Sequence, residues 1–243
     1  MAFVYPHENL RDLYTKTSVS ELKMAAMHKA YEKQSQEETP VSLFPTEEII
    51  PYIPNFAKES REVSGAARGS AYHRLLELLD YAKLMEEQEV NGNEHAAYIQ
   101  KSIEQFVESG RITQEEVNMV NLKKIGSFLD SPIAARMAAA DARGDLYKEQ
   151  PFVLGIEASR LSEGFPIDEK VLIQGIIDVY FVEDGEIVLL DYKTDAVKTG
   201  DELKKRYETQ INYYTEALEK ITGFKVKEKL LYSFALGKEV KCE

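Results

Sequence analysis

Two aspartates on neighbouring apolar segments have the spacing in this sequence that most clearly indicates chemistry. Asp178 lies in GIIDVYF, Asp191 lies in LLDYKTD, and the turn signal Glu183-Asp184-Gly185 joins the two segments. Asp-Gly between such segments favours a two-residue type I′ hairpin, in which Glu183 pairs with Glu186. This register places Asp178 directly opposite Asp191 on one face, with Cβ atoms about 4.5–5.5 Å apart.

The paired aspartates predict a bound divalent cation. Lys193 lies two residues after Asp191 and therefore shares its face of the strand. Like charges directly opposite destabilise a sheet, and burial raises the cost of leaving them uncompensated. Burial is predicted by the apolar neighbours Ile176, Ile177, Leu189 and Leu190. A purely structural alternative has Lys193 alone holding Asp178, or pairing with Asp191.

The hydrophobic periodicity changes along the chain and predicts an α/β fold with a mixed sheet. Helices are predicted at 18–34, 68–87, 94–109, 113–129, 132–142 and 201–221. Strands are predicted at 146–158, 170–181, 186–192 and 230–237, with a short final strand after a turn at 236–239. Between the first two helices, the segment 34–54 contains four prolines and reads as an extended connection.

Composition excludes several classes of protein. The single cysteine, Cys242, rules out an internal disulfide and a four-cysteine iron–sulfur cluster within these residues. No run of about 18 apolar residues occurs, and the first 33 residues lack the order of a signal peptide, so we expect a cytoplasmic protein without membrane contact. The net charge of −12 argues against nucleic-acid binding through the overall field. Between Asp191 and Arg206 basic residues are slightly in excess, which fits a phosphate-contacting strip or a solvated helix face.

Five short segments occur in a familiar order: RGSAYHRLLE, KEQPFVLGIE, GIIDVYF, LLDYKTD and QINYY. This order resembles the RecB-type branch of the PD-(D/E)XK nucleases, and TKTSVSELKM resembles the opening of the nuclease domain in AddA subunits of helicase-nucleases. The resemblance implies a single domain, with a restriction-endonuclease-like core at 61–243 and an N-terminal helix and extended connection at 1–60. Two features depart from related proteins: the sequence has no G-x-x-x-x-G-K-[ST] phosphate loop and no cysteines for the iron–sulfur cluster of AddB-type domains.

The resemblance also implies a metal site that contains more than the two aspartates. By motif position the ligands are His73, Asp178, Asp191 and the backbone carbonyl of Tyr192, with Glu149 as an additional carboxylate. From the residues alone, His73 would be read as a surface histidine or one with a structural partner. Oxygen ligands with one imidazole suit Mg²⁺ and suit Mn²⁺ better. His7, His28 and His95 match no such motif and are predicted to be structural or on the surface.

Lys193 and three residues of the last long helix complete the predicted site. Beside two carboxylates, Lys193 is expected to remain an ammonium, which favours an electrostatic role over that of a general base. Gln210 and Tyr214 lie one helical turn apart, with Tyr207 on the same face. The resemblance implies that this Q-x-x-x-Y pattern contacts DNA or orders the site. A core position for the tyrosines is the alternative, and it is equally plausible for Tyr207.

The function implied by the resemblance is Mg²⁺- or Mn²⁺-dependent DNA hydrolysis during double-strand break processing and recombinational repair. The expected substrate is a single-stranded end, delivered by the helicase region of the same parent polypeptide together with an AddB-like subunit. One alternative is a non-catalytic module of the same fold that serves in the assembly of subunits or guides DNA. A stand-alone CRISPR-associated nuclease is a third reading, which the lack of a cysteine cluster disfavours.

Overall fold

The computed structural model of the protein describes residues 15–34, 65–84, 95–162 and 165–243. The predicted extended connection at 34–54 lies outside these residues, apart from Gln34 at the end of the first helix. His7, the side chain of His28 and the predicted boundary near residue 60 also lie outside them. No helix among the described residues is both long and apolar enough to cross a lipid bilayer.

The described elements match most of the predicted ones. The helices are α1 (Val19–Gln34), α2 (Gly65–Leu78), α3 (His95–Glu108), α4 (Gln114–Met119), α5 (Leu122–Leu129), α6 (Pro132–Asp141) and α7 (Gly200–Thr222). The strands are β1 (Lys16–Ser18), β2 (Leu146–Glu157), β3 (Lys170–Glu183), β4 (Glu186–Lys193), β5 (Val226–Ser233) and β6 (Lys238–Cys242). One predicted helix, 113–129, is wrong as a single element, because the side chain of Asn121 caps a new helix at Leu122. The three-residue strand β1 was not predicted, since three residues carry no detectable period.

The six strands form one mixed sheet, which confirms the predicted α/β class. Strand β3 pairs along its length with β2 in antiparallel orientation. Its other edge pairs first with β1, in parallel, and then with β4, in antiparallel orientation. Strand β5 joins β4 in parallel, and β6 completes the sheet beside β5. A parallel β4–β5 pair needs a crossover connection, which α7 provides.

The hairpin between β3 and β4 has the predicted turn and register. Asp184 and Gly185 both have positive φ, 56° and 79°, as a type I′ turn requires. Glu183 pairs with Glu186, and the ladder continues for five pairs as far as Val179 and Leu190. It ends one pair before the two aspartates. The prediction that Asp178 and Asp191 face each other as a ladder pair is therefore wrong.

Strand β3 stops pairing with β4 where it changes the layer into which it packs. Ile173 and Ile177 belong to a hydrophobic cluster beneath α7, whereas Val179 and Phe181 belong to a second cluster beneath the other helices. These four residues have the same parity, so a regular strand would place them on one face. Asp178 lies at the change of face.

Strand β2 is irregular at the same point. The β2–β3 register places Glu149 opposite Asp178, but Glu149 is missing from the ladder and has a φ of 48°. The left-handed region is unfavourable for a residue other than glycine and costs about 1–3 kcal/mol. Both strands thus bend where carboxylates lie. A further correction concerns Ile176, predicted to be buried, which is 52% exposed.

Two hydrophobic clusters on opposite sides of the sheet hold the helices in place. One consists of α2 to α6 packed against β3, β4 and β5 and includes the fully buried Leu75, Phe128 and Met137. The other places α7, with Leu203 and Ile211, against β2, β3 and β4. The residues between these layers sit on the rigid part of the fold.

Arg136 on α6 links the helical layer to the hairpin, and we predict that its charge stabilises the fold. Its guanidinium donates hydrogen bonds to both carboxylate oxygens of Glu183, at 3.1 and 2.8 Å, and to Glu228 at 2.9 Å. Arg136→Met should lower the free energy of unfolding by about 2 kcal/mol, because two partly buried carboxylates lose their counter-charge. Urea denaturation measures this change. Arg160→Met removes a similar but more exposed fork to Glu216, and should cost less than about 1 kcal/mol.

The stabilisation from Arg136 should also depend on pH. Hydrogen bonds from Arg136 and Lys227 lower the pKa of Glu183 from 4.5 to about 2. A depressed carboxyl pKa contributes stability above the unfolded-state value, and the contribution is lost as pH falls towards the folded-state value. The stability difference between the unmodified protein and Arg136→Met should therefore be constant above about pH 5 and shrink between pH 4.5 and about 2. A difference that grew in acid would contradict this assignment.

Candidate functional site

A cavity of about 940 Å³ opens where β3 and β4 separate. Helix α2 borders it with His73, the ends of β2 and β4 contribute Glu149 and Lys193, and α7 contributes Gln210. Gly69 of α2 comes close to β4, since a Cβ on this glycine would lie 3.4 Å from the hydroxyl of Thr194. The small residue lets the helix approach the strand that carries the predicted site.

His73, Glu149 and Asp178 form a compact group of potential metal ligands. Nδ1 of His73 lies 3.4 Å from Oδ1 of Asp178 and 3.7 Å from Oε1 of Glu149. One ligand atom from each of the three residues lies within 4.8 Å of the other two. The second oxygen of Asp178 accepts a 2.8 Å hydrogen bond from the backbone N–H of Tyr192, which fixes the orientation of the carboxylate. The bent position of Glu149 in β2 brings its side chain to this group.

Asp191 lies beside this group and is completely buried. Its Oδ1 accepts a hydrogen bond of 3.1 Å from Nε2 of Gln210. Nζ of Lys193 lies 2.5 Å from its Oδ2, but this buried oxygen receives no hydrogen bond of regular geometry. A buried carboxylate oxygen without such a bond has a strong tendency to bind a cation.

The protonation of the ligand group reflects the close packing of His73 and its acidic neighbours. Burial disfavours the imidazolium, yet hydrogen bonding to the carboxylates of Asp178 and Glu149 raises the pKa of His73 to about 10. Burial also disfavours a charged Asp178, but the interaction with His73 lowers the pKa of this carboxyl below its usual range. Without a bound ion, His73 is thus the cation that neutralises the two carboxylates.

Burial acts differently on Asp191 and Lys193. Burial raises the pKa of Asp191 to about 7, although the charge of Lys193 opposes this increase. For Lys193, burial disfavours the ammonium, but the charges of Asp191 and Asp178 raise its pKa above the ordinary value. Lys193 is therefore an ammonium at neutral pH, in agreement with the expectation from the sequence.

The donor set fits a divalent cation. It offers one imidazole and several carboxylate oxygens at the end of one cavity, and the buried Oδ2 of Asp191 lacks a regular hydrogen bond. Mg²⁺ and Mn²⁺ take oxygen ligands, and Mn²⁺ also takes imidazole readily. The side chain of Tyr192 is buried and packs edge-on against the His73 ring at 5.9 Å. Its carbonyl remains a ligand predicted from the resemblance alone.

Helix α7 supports the site from the opposite layer. Nε2 of Gln210 donates to the hydroxyl of Tyr214 at 2.9 Å as well as to Asp191. Tyr207 donates a 2.5 Å hydrogen bond to Asp195, and Nζ of Lys193 lies 4.3 Å from the centre of the Tyr207 ring. Both tyrosines are almost fully buried. These contacts favour an ordering role over direct contact with DNA for both tyrosines.

The structure brings together every side chain that the sequence predicted for the site. Those side chains are His73, Glu149, Asp178, Asp191, Lys193, Tyr207, Gln210 and Tyr214. Asp195 was not predicted as a partner of Tyr207, although its position four residues after Asp191 was a usable signal. His95, predicted to be structural or on the surface, is buried and paired with Asp130 at 2.8 Å.

The fold and the carboxylate–lysine arrangement are those of a nuclease superfamily. Residues 50–240 match the family model described as the PD-(D/E)XK nuclease superfamily. The chain belongs to this superfamily, as the sequence resemblance indicated.

Several relatives are AddA subunits of ATP-dependent helicase/nucleases. One from Clostridium botulinum (strain Loch Maree / Type A3) is 36% identical over 100% of the chain. Another from Lachnoclostridium phytofermentans is 36% identical over 79% of the chain, and one from Clostridium acetobutylicum is 33% identical over 100%. The chain spans only 16–18% of the length of these relatives. It therefore corresponds to one segment of a much larger protein in each relative.

We predict that metal binding to this site releases protons. At neutral pH His73 is protonated when no ion is bound, because its pKa is raised to about 10, and a metal can bind only the neutral imidazole. Calorimetric titration with Mn²⁺ in buffers of different ionisation enthalpy should report release of about one proton or more per ion. His73→Ala should release about one proton fewer. A heat of binding independent of the buffer would show that His73 is not a ligand.

Proposed function

We propose that the protein hydrolyses DNA phosphodiester bonds with a divalent cation, Mg²⁺ or Mn²⁺. The observation that carries the proposal is the group formed by His73, Glu149 and Asp178 beside the buried Asp191–Lys193 pair. Membership of the PD-(D/E)XK nuclease superfamily supports the same activity. When bound, the cation would polarise a phosphate oxygen and lower the pKa of a water molecule.

The residues of the chain would divide between holding the cation and orienting the substrate. His73, Asp178 and Asp191 would hold the ion, with Glu149 and the carbonyl of Tyr192 as further ligands. Asp178 is held in orientation by the N–H of Tyr192, and Asp191 by the amide of Gln210. Such bonds to the outer side of a ligand fix its direction and strengthen binding of the ion.

Lys193 would act on the phosphate rather than on the ion. Its ammonium lies at the cavity, is charged at neutral pH and is held between Asp191 and the ring of Tyr207. A fixed positive charge there would orient the attacking water and stabilise the negative charge that develops on the phosphate. Tyr207, Gln210 and Tyr214 would keep these groups in position.

The substrate and partners follow from the relatives and from the charge of the chain. Because the relatives are named as subunits of a helicase/nuclease, we infer a nuclease segment that receives single-stranded DNA ends from a helicase region of the same polypeptide, working with an AddB-like partner. A net charge of −12 favours such delivery, since the segment itself attracts polyanions weakly. A tethered motor would supply DNA at high local concentration. The role in double-strand break processing belongs to the same inference.

The test is cleavage of end-labelled single-stranded DNA by the purified protein. We expect slow degradation with Mn²⁺ or Mg²⁺, no degradation in chelator, and a steep loss of activity as salt is raised. The labelled products also give the polarity of digestion. If the protein binds neither metal by calorimetry and cleaves no DNA, the non-catalytic module is the better description. Equal activity at low and high salt would contradict the proposed dependence on delivery.

A further inference from the structure

Helix α1 contributes to the cavity, although it lies outside residues 50–240 that match the family model. Ser20 and Lys23 of this helix line the cavity. Nζ of Lys23 lies 4.1 Å from the centre of the Tyr207 ring, and Nζ of Lys193 lies 4.3 Å from the same centre. The two ammonium groups can therefore be no farther apart than the sum of these distances.

The position of Lys23 is fixed by the way α1 begins. The N–H of Glu21 donates to the hydroxyl of Ser18, and the N–H of Ser18 donates to the carboxylate of Glu21, at 3.2 and 2.8 Å. This reciprocal capping box starts the helix directly after β1. Val19 is buried against β3, where a Cβ on Gly175 would lie 3.1 Å from a methyl group of Val19. The glycine thus permits the close contact that anchors α1.

Lys23 lacks the counter-charge that the other cavity cations have. Lys193 is paired with Asp191, and Arg74 is paired with Glu77 at 2.7 Å. Within the described part of the chain, no carboxylate lies within ion-pair distance of Lys23. Its stem packs on Tyr207, while burial and the nearby charge of Lys193 lower its pKa. An anion placed in the cavity would relieve this repulsion.

We propose that Lys23 binds a backbone phosphate of the DNA strand in the cavity, next to the phosphate that Lys193 contacts. The anion is a phosphodiester because the inference rests on the proposed function, in which a nucleic-acid strand occupies the same cavity. A single ammonium recognises phosphate as a point charge and gives no base specificity. The contact would therefore serve any sequence, as a processing nuclease requires.

The test measures binding of a fluorescent single-stranded oligonucleotide by anisotropy, in chelator so that hydrolysis does not occur. Lys23→Met keeps the stem that packs on Tyr207 and removes the charge. We expect this variant to bind about tenfold more weakly at low salt, with the slope of log affinity against log salt reduced by about 0.7. Lys16→Met is the matched control, since Lys16 is an exposed lysine on β1 outside the cavity, and it should change neither quantity.

A second measurement uses the unmodified protein and does not depend on how a variant folds. The oligonucleotide should protect the amine of Lys23 from acetylation, measured by mass spectrometry, and should leave Lys16 reactive. Unchanged affinity and slope in Lys23→Met, or equal acetylation of Lys23 with and without DNA, would overturn this inference while leaving DNA cleavage by the unmodified protein intact. A protein that neither binds nor cleaves DNA would overturn both this inference and the proposed function.

Discussion

Asp178→Asn is expected to abolish DNA cleavage, lowering the rate by at least about 10³-fold. Asp178 is the one residue of the ligand group that contacts both His73 and the N–H of Tyr192. Asparagine preserves the shape of the side chain and removes the charge. Metal affinity should fall by more than about 100-fold, because a neutral amide is a poor substitute for a buried carboxylate ligand. Calorimetry with Mn²⁺ and a cleavage assay measure the two effects.

The control for this variant is another carboxylate of the same cavity. Glu77 lies one helical turn after His73 and is paired with Arg74 rather than with the ligand group. Glu77→Gln should keep cleavage and metal affinity within a few-fold of the unmodified protein, although it removes the same charge. If both variants lost activity equally, the overall potential of the cavity would account for the effect. If Asp178→Asn kept its metal affinity, Asp178 would not be a ligand.

Sequence patterns were sufficient for the hairpin and insufficient for the bend beside it. Asp184-Gly185 determined the turn type, and the turn determined five correct pairs, because register follows from turn geometry. The failure occurs at Asp178, where β3 moves from one hydrophobic cluster to the other. No local period reports such a change, since each half of the strand alternates normally. Opposed carboxylates were thus a correct indication of a site but an incorrect description of its geometry.

The rest of the site depends on contacts that are distant in sequence. His73 on α2 and Gln210 on α7 reach Asp178 and Asp191 from opposite layers of the sheet. Periodicity alone assigned each residue to a helix face, and only the family resemblance selected them. The contact between α1 and Tyr207 was not predicted by either route. It depends on the three-residue strand β1 and on the space left by Gly175, neither of which has a recognisable pattern.

Lys193→Met should lower the rate of DNA cleavage by about 10²–10³-fold while metal affinity stays the same or rises. Lys193 is close to the carboxylates but is not a ligand, so its removal leaves the donor set intact and removes a repelling charge. The fold should tolerate the change, because burial already raises the pKa of Asp191 to about 7 and allows it to become neutral. Lys198→Met, at an exposed lysine of the same segment, is the matched control and should have normal activity.

Lys193→Arg distinguishes an electrostatic role for this residue from that of a general base. Arginine carries the positive charge but cannot be deprotonated in a protein, so it cannot accept a proton from water. The charges of Asp191 and Asp178 raise the pKa of Lys193, which makes the free amine scarce at neutral pH. We therefore expect Lys193→Arg to be clearly more active than Lys193→Met. Equal loss in both variants, together with a rate in the unmodified protein that rises as Lys193 deprotonates, would instead identify Lys193 as the base.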